Sequence, residues 1–262
     1  MSAVFAAFVL AQLFGKLASD IAYAVSDAAP AADGGKLPAA VIVPTMLASE
    51  LALLVVALAT PLFANRSLRE ALDLRLHRAP VFVAAAVGTV MLGPLGDMLM
   101  TQFARLFPGY TLDVVPTLHE LASRLSLVAL WPTFALLPGV AEELLFRGVL
   151  QGSLRRGILA VVLAGSAFAL FHVDPVHVAG VLPLGLFLSW VAYRTSTLVT
   201  IFAHVANNSL AVLSIHGAVL DVGYGTGREL PTSWLIASLV VFAAAAAVIV
   251  QSTPPQQRRA TE

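Results

Sequence analysis

The sequence predicts an all-helical membrane protein that crosses the bilayer about eight times and folds as one structural domain. Of its 262 residues, 59% are hydrophobic and only 11% are charged, whereas a soluble domain carries roughly 25% charged residues. Several apolar stretches reach the roughly 20 residues that a membrane-spanning helix needs. Because these stretches are continuous and do not alternate with polar residues, they favour helices over a β-barrel.

Eight apolar segments supply the predicted helices. They lie near residues 3–25, 38–64, 80–104, 123–150, 157–173, 176–194, 197–217 and 233–251. The small-residue stretch 26–36 is predicted to be a loop, and the polar stretch 252–262 a tail. Along the chain, residues 1–119 supply N-terminal membrane helices and connectors, residues 120–217 a core, and residues 218–262 the last helix and the tail.

The first segment has two interpretations. Lys16 and Asp20 interrupt its apolar run, and its position at the start of the sequence is compatible with a signal sequence. A signal sequence begins with a positively charged region, however, and no basic residue precedes this apolar run. We therefore interpret residues 1–25 as a retained first helix, with a signal sequence as the alternative.

The distribution of positive charge favours an orientation with both termini in the cytoplasm. With eight crossings and an inner N-terminus, the inner segments carry Arg66, Arg69, Arg75, Arg78, Arg155, Arg156, Arg194, Arg258 and Arg259. The outer segments carry Lys36, Arg105, Arg124 and Arg228. Because Lys and Arg are enriched in cytoplasmic loops, nine against four supports this orientation.

The charge balance and the absence of cysteine exclude several kinds of function. The chain has 15 Lys and Arg against 15 Asp and Glu, and it has no cysteine. A net charge of zero gives no electrostatic basis for binding nucleic acid. Without cysteine the chain has no disulfide, no thiolate metal site and no cysteine nucleophile.

One charged cluster interrupts the fourth apolar segment, in the stretch GVAEELLFRGVL at residues 139–150. Each ionised side chain at mid-membrane costs roughly 2.5–3.5 kcal/mol on insertion scales, so three together need compensation. On a helix Glu143 and Arg147 are four residues apart, which allows an ion pair. Glu142 points in another direction and is free to face a cavity. The alternative is a structural ion-pair cluster that joins helices.

Two further polar pairs lie on later segments. Phe168 and His172 are one turn apart at the end of the fifth segment, and His204 and Asn208 are one turn apart on the seventh. Each pair therefore shares a helix face. With Glu142 they make a set that can activate water: a carboxylate base, imidazoles that orient or ligate, and an amide that stabilises negative charge. The alternative for each histidine is a hydrogen-bonded packing role.

The three motifs occur in order, as Glu-Glu-x-x-x-Arg, Phe-x-x-x-His and His-x-x-x-Asn, at intervals of about thirty residues. This order resembles the CAAX-protease and bacteriocin-processing family, intramembrane endopeptidases related to the eukaryotic CAAX prenyl endopeptidase. The resemblance covers roughly residues 120–217. It implies that Glu142 is the catalytic glutamate, with Glu143 as its supporting neighbour and Arg147 closing the first motif.

The same resemblance implies that His172 positions the attacking water with Glu142, and that His204 and Asn208 stabilise the oxyanion. It leaves the need for a metal open. Glu142, His172 and His204 make a plausible three-ligand site with an open position, as at a catalytic zinc. If all three bound zinc, however, Glu142 could not also act as a free base.

By this resemblance the chain hydrolyses a peptide bond in a membrane-associated or lipidated protein or peptide, within a bacterial inner or plasma membrane. One alternative is a non-catalytic membrane scaffold or bacteriocin-immunity factor with the same fold. Another is a proton-coupled transporter, since buried acids and histidines also mark ion pathways. Transporters of that kind often consist of two similar halves, and the sequence shows no internal repeat.

Other polar residues have simpler interpretations. Glu50 and Asp97 lie inside apolar segments, and each either lines the same cavity or hydrogen-bonds a neighbouring helix. Asp174 and His177 flank Pro175 in a short turn and are expected to be solvated.

The stretch GSLRRG at residues 152–157 predicts a membrane-surface turn of a helical hairpin. Glu142 lies fifteen residues before Gly157 and His172 lies fifteen residues after it. At 1.5 Å per residue, antiparallel packing would bring both to a depth of about 22 Å from the turn. We therefore expect these two side chains to meet the polar pair of the seventh segment in one small cavity within the bilayer.

Overall fold

The computed structural model describes residues 2–26, 38–107, 120–154, 157–217 and 230–253, and every regular element in these ranges is a helix. The helices are α1 Ser2–Val25, α2 Ala39–Phe63, α3 Leu68–Ala71, α4 Ala79–Met91, α5 Gly93–Ala104, α6 Leu127–Gln151, α7 Ile158–Leu170, α8 Pro175–Arg194, α9 Thr197–Ile215 and α10 Thr232–Ser252. The greater part of the predicted first loop and of the tail, and Arg155 and Arg156 of the predicted turn, lie outside the described residues.

Within the described residues, seven helices have the length and hydropathy to cross a membrane. One of them is Ala79–Ala104, in which α4 and α5 are joined through Leu92. The apolar helix α7 has 13 residues, about 20 Å of helix, and is shorter than the roughly 30 Å hydrocarbon core. The predicted all-helical polytopic fold is thus confirmed. The fifth predicted helix is present, but it is too short to span the membrane.

The helix α6 changes its winding along its length. Its α-helical parts are Leu127–Trp131 and Leu137–Glu143, and its π-helical parts are Pro132–Leu136 and Leu144–Gln151. Pro132 and Pro138 have no backbone N–H and cannot donate to the regular helical ladder. π-Helical turns are rare and are frequently found at functional sites. In α6 the change from α to π falls directly after the glutamate pair.

The helix α6 packs against α2, α7 and α9. Its buried residues Ala141, Leu144 and Leu145 form one apolar cluster with Leu53 and Ala57 of α2. Because lipid tails are as apolar as these side chains, close packing holds membrane helices together more than removal from water does. The shape of the contacts between helices therefore decides where α6 presents its polar residues.

Two glycines allow the close helix contacts that the site needs. A Cβ at Gly139 of α6 would lie 2.7 Å from Cγ2 of Val205 in α9, and a Cβ at Gly165 of α7 would lie 2.8 Å from Cα of Leu186 in α8. Both separations are too short for a real side chain, so only glycine fits. Small residues of this kind let membrane helices approach closely. Gly139 therefore sets the distance between the helices that carry the glutamate pair and the second histidine.

A polar contact at one end of the bundle fixes the start of α9. Arg75 donates to the carbonyl of Thr195 at 2.7 Å and to Oδ2 of Asp73 at 2.9 Å. Ser196 Oγ donates to the carbonyl of Arg75 at 2.8 Å, and the N–H of Thr197 donates to the carbonyl of Asp73 at 3.1 Å. The hydrogen bond to Asp73 raises the pKa of Arg75, so its guanidinium stays charged and holds this connection.

Candidate active site

Glu143 joins the first and third motifs across two helices. Arg147 Nη1 donates to Glu143 Oε1 at 2.6 Å, and both side chains are fully buried. His204 Nδ1 lies 2.9 Å from the same oxygen. Because an ionised carboxylate only accepts hydrogen bonds, Nδ1 of His204 carries the hydrogen in this contact. The ion pair expected from the spacing is therefore formed, and a hydrogen bond from α9 is added to it.

Arg147 is held by two further groups besides Glu143. Its Nη2 donates to the backbone carbonyl of Gly185 in α8 at 3.0 Å. Its guanidinium carbon lies 4.4 Å from the centre of the Phe168 ring in α7, within the range of a cation–π contact. These contacts offset the cost of a buried cation and fix the position of α6 relative to α7 and α8.

Glu142 faces the other ring nitrogen of His204. Glu142 is 8% exposed, and its Oε2 lies 3.9 Å from His204 Nε2. This separation is too long for a direct hydrogen bond, but it allows one oxygen atom to contact both groups. The two glutamates therefore have different surroundings: Glu143 is engaged by Arg147 and His204, whereas Glu142 presents its carboxyl group next to the imidazole.

The second motif reaches the site through an aromatic contact. His172 Nδ1 lies 3.1 Å from the carbonyl of Phe168, which only accepts, so Nδ1 carries the hydrogen and Nε2 keeps its lone pair. The Phe168 ring contacts both imidazoles, with its centroid 5.3 Å from that of His172 and 5.6 Å from that of His204. Phe168 is 1% exposed and closes the site on this side.

The turn after α7 is more ordered around the site than its sequence suggests. Asp174 accepts hydrogen bonds from the N–H groups of Val176 and His177, both at 2.9 Å, and so caps α8. The His177 ring lies 4.6 Å from that of His172, in an edge-on arrangement. Both Asp174 and His177 are half-buried. The expectation of a simple solvated turn was therefore wrong, because the cap brings His177 back against the second motif.

The amide of the third motif is oriented by its neighbour. Asn208 follows His204 by one turn of α9, and its Oδ1 accepts a hydrogen bond from Nδ2 of Asn207 at 3.2 Å. With Oδ1 engaged in this way, the Nδ2 group of Asn208 is the end available to donate. Asn207 is buried, whereas Asn208 is half-buried. A donor next to an imidazole is the arrangement that stabilises negative charge on an oxygen.

Donor atoms of the predicted metal set are engaged in other contacts. In the described ranges no group of three or more His, Asp or Glu side chains is arranged to hold a metal ion. His204 uses Nδ1 to bind Glu143, and His172 uses Nδ1 to bind a backbone carbonyl. A zinc site made by Glu142, His172 and His204 stays a prediction.

Contacts thus connect most of the predicted residues. Glu142, Glu143, Arg147 and His204 form one polar cluster, and His172 is linked to it through Phe168. One residue of the site was not singled out by the sequence. Asn207 orients the motif amide, and its only signal was its position beside Asn208. Glu50, for which the sequence left two interpretations open, is buried in the middle of α2.

The comparison with protein families agrees with these motifs. Residues 124–210 match the model of the family described as type II CAAX prenyl endopeptidase Rce1-like, and this range contains every residue of the three motifs. Neither the comparison with curated proteins nor that with solved structures gives a match. The match over residues 124–210 therefore supports the assignment to the CAAX-protease family that the three motifs predict.

Proposed function

We propose that this protein is an intramembrane endopeptidase that hydrolyses a peptide bond with a glutamate-activated water. The observation that carries the proposal is the division between the two glutamates. Arg147 and His204 engage Glu143 at 2.6 and 2.9 Å, while Glu142 Oε2 lies 3.9 Å from His204 Nε2. The family match over residues 124–210 supports proteolysis over a scaffold or a transporter.

The proposed reaction begins with Glu142 as general base. Glu142 accepts a proton from a water molecule that His172 helps to orient through Nε2, and the water oxygen forms a bond to the peptide carbonyl carbon. Negative charge then develops on the carbonyl oxygen. His204 Nε2, when protonated, and Asn208 Nδ2 donate to this oxygen. The proton held by Glu142 passes to the leaving nitrogen as the C–N bond breaks.

The surroundings of Glu143 explain how His204 can donate. The carboxylate of Glu143 accepts from Nδ1 of His204 at 2.9 Å, as the orienting carboxylate does in other hydrolases that use a histidine. This contact fixes the orientation of the ring. Nε2 then points towards Glu142 and the proposed oxyanion position, so one imidazole serves both contacts.

The proposed substrate is a membrane-associated or lipidated protein or peptide. The glutamate cluster lies in α6, a helix long and apolar enough to span the membrane, and Glu142 and Glu143 are both buried. A substrate must therefore bring its peptide bond into a site at membrane depth. A segment that is already anchored in the lipid can enter such a site without leaving the bilayer.

Comparative proteomics of membrane fractions tests this function in the cell. Cells that carry the wild-type protein are compared with cells that carry Glu142→Ala, and with cells that carry Glu70→Gln as a control. Glu70 is an exposed acid of α3, far along the chain from the motifs. We expect C-terminal fragments that occur with the wild type and with Glu70→Gln and disappear with Glu142→Ala. Identical fragment sets in all three strains would contradict the proposal.

A metal-dependent mechanism is the second possibility, and elemental analysis separates it from the first. We expect the purified, active protein to contain no stoichiometric zinc and to keep its activity after chelation, because Glu142 is then the base. Stoichiometric zinc, with activity lost on chelation and restored on addition of zinc, would instead assign Glu142, His172 and His204 to the metal.

A further inference from the structure

Glu50 is a buried acid in the membrane that the proposed mechanism does not use. It lies in the middle of α2 and is 5% exposed. Its Oε2 is buried and has no hydrogen-bond partner among the described residues. An ionised carboxylate with neither water nor a cation next to it is costly within a membrane. Its position therefore needs an explanation.

The packing of α2 directs Glu50 towards the glutamate pair. Leu53 and Ala57 follow Glu50 by three and seven residues and so share its helix face. Both belong to the apolar cluster that contains Ala141 and Leu145 of α6, on either side of the pair. Because Glu50 shares this face, its carboxyl group lies at the contact between α2 and the part of α6 that carries Glu142.

The cations on the elements around α2 are engaged elsewhere. The elements packed against α2 are α1, α3 and α6, and residues 121–125 lie beside its first turns. Their cations and acids form the pairs Lys16–Asp20, Glu120–Arg124 and Glu143–Arg147. Arg69 and Glu70 of α3 are exposed. The helix α1 carries one further titratable side chain, that of Tyr23. Among the described residues of these elements, the charged group that remains to face Glu50 is therefore Glu142, another acid.

We propose that Glu50 and Glu142 form a carboxylic acid–carboxylate pair, in which Glu50 keeps its proton and positions Glu142 for proton transfer. The proposal rests on the endopeptidase function proposed above. Two carboxyl groups that share a water-poor site do not both ionise, because the like charges repel. During hydrolysis Glu142 takes the proton from water and passes it to the leaving nitrogen, while Glu50 retains its own proton throughout. Glu50 is thus a positioning residue, and Glu142 is the catalytic base.

Three substitutions at Glu50 separate this role from simple packing. Glu50→Leu removes the proton and the polar group, and we expect kcat to fall about 10- to 100-fold with KM little changed. Glu50→Asp keeps the acid and should recover part of kcat. Glu50→Gln is permanently neutral, so kcat should stay within about tenfold of the wild type and the alkaline limb of the pH–activity profile should change. Glu70→Gln serves as the matched control and should leave kcat and the profile unchanged.

Infrared spectroscopy of the purified protein tests the shared proton without any substrate. We expect a carbonyl stretching band of a protonated carboxyl group at neutral pH in the wild type, and we expect Glu50→Gln to remove it. If the wild type cleaves no substrate but shows this band, the endopeptidase function fails and the pair stands. Two results would overturn the pair. In the first, the wild type cleaves substrate, and both Glu50→Leu and Glu50→Gln keep the kcat and the pH profile of the wild type. In the second, Glu50→Gln leaves the infrared band unchanged.

Discussion

At the scale of single residues, the two adjacent glutamates have different surroundings. Glu143 is fully buried and is shared by Arg147 and His204, whereas Glu142 has its carboxyl group beside the other nitrogen of that imidazole. A helix places consecutive residues about 100° apart around its axis, so neighbours in sequence face different partners. In the proposed mechanism, this difference allows one carboxylate to hold the site together while the other acts as the base.

Glu143→Ala should lower both stability and activity. The substitution leaves Arg147 buried without its acid, and breaking a buried pair in this way costs about 3–5 kcal/mol. It also releases Nδ1 of His204. Thermal unfolding in detergent and a cleavage assay measure the two effects. The double variant Glu143→Ala with Arg147→Met removes both charges and should regain part of the stability but not the activity. A Glu143→Ala protein with normal stability and activity would refute this role.

His204→Gln and Asn208→Ala should each reduce kcat about 100-fold or more, because each removes a donor from the proposed oxyanion position. KM should change little, since the donors act on charge that develops in the transition state. His216→Gln is the control, because His216 is exposed near the end of the same helix. Steady-state kinetics check this prediction. Variants that change KM alone would show that the two residues bind substrate rather than stabilise the oxyanion.

Sequence alone could predict the contacts of the site that are local in the chain, and it could not predict the others. The Glu143–Arg147 pair depends only on a spacing of four residues within one helix, and it was predicted. The bond between His204 and Glu143 joins residues 61 positions apart, and no local pattern specifies it. Glu50 was left with two interpretations for the same reason, because its environment depends on how α2 packs against α6.

At the scale of helices, the fold followed the sequence except where the helical geometry is irregular. The hairpin argument assumed regular α-helices on both sides of the turn. In the structure, Leu144–Gln151 is π-helical, and α7 ends at Leu170, short of the predicted end at residue 173. Hydropathy reports where a helix lies but not how it is wound, so the depth of His172 relative to Glu142 could not be calculated from the sequence.

Gly139→Ala should reduce activity more than it reduces stability. The added Cβ would lie 2.7 Å from Val205 Cγ2 and 3.0 Å from Val205 N, so α6 and α9 must separate by a few tenths of an ångström. Such a shift moves His204 relative to both glutamates, and misplacement of about 1 Å can cost 100-fold in rate. Gly152→Ala is the control, because its nearest contact would be an ordinary 3.7 Å. Equal activity of the two variants would show that this helix spacing is unimportant.

At the scale of the whole molecule, the seven long apolar helices of the described residues make an integral membrane protein. Its orientation is a proposal that rests on the positive charge in its loops. The helix α7 has 13 residues and is too short to span the hydrocarbon core alone. A bundle in which α7 enters only part of the membrane would place α8 and its neighbours differently from one with eight full crossings.

Cysteine labelling tests the proposed orientation. Because the chain has no cysteine, Arg66→Cys and Leu106→Cys each introduce a single thiol at an exposed position. With the N-terminus in the cytoplasm, position 66 lies inside and position 106 outside. We expect a membrane-impermeant maleimide to label Leu106→Cys in intact cells and Arg66→Cys only after permeabilisation. The opposite pattern would reverse the orientation of the bundle.

The most direct test of the proposed function compares the wild type with Glu142→Gln. Both proteins are purified and reconstituted in lipid nanodiscs. The substrate is a membrane-anchored peptide identified by the proteomic comparison. The substitution keeps the size of the side chain and removes only the base. We expect equal thermal stability, cleavage by the wild type that places one ¹⁸O atom from labelled water in the new C-terminus, and at least a 100-fold lower rate for Glu142→Gln. Cleavage by Glu142→Gln at the wild-type rate would contradict the assignment of Glu142 as the base that activates water.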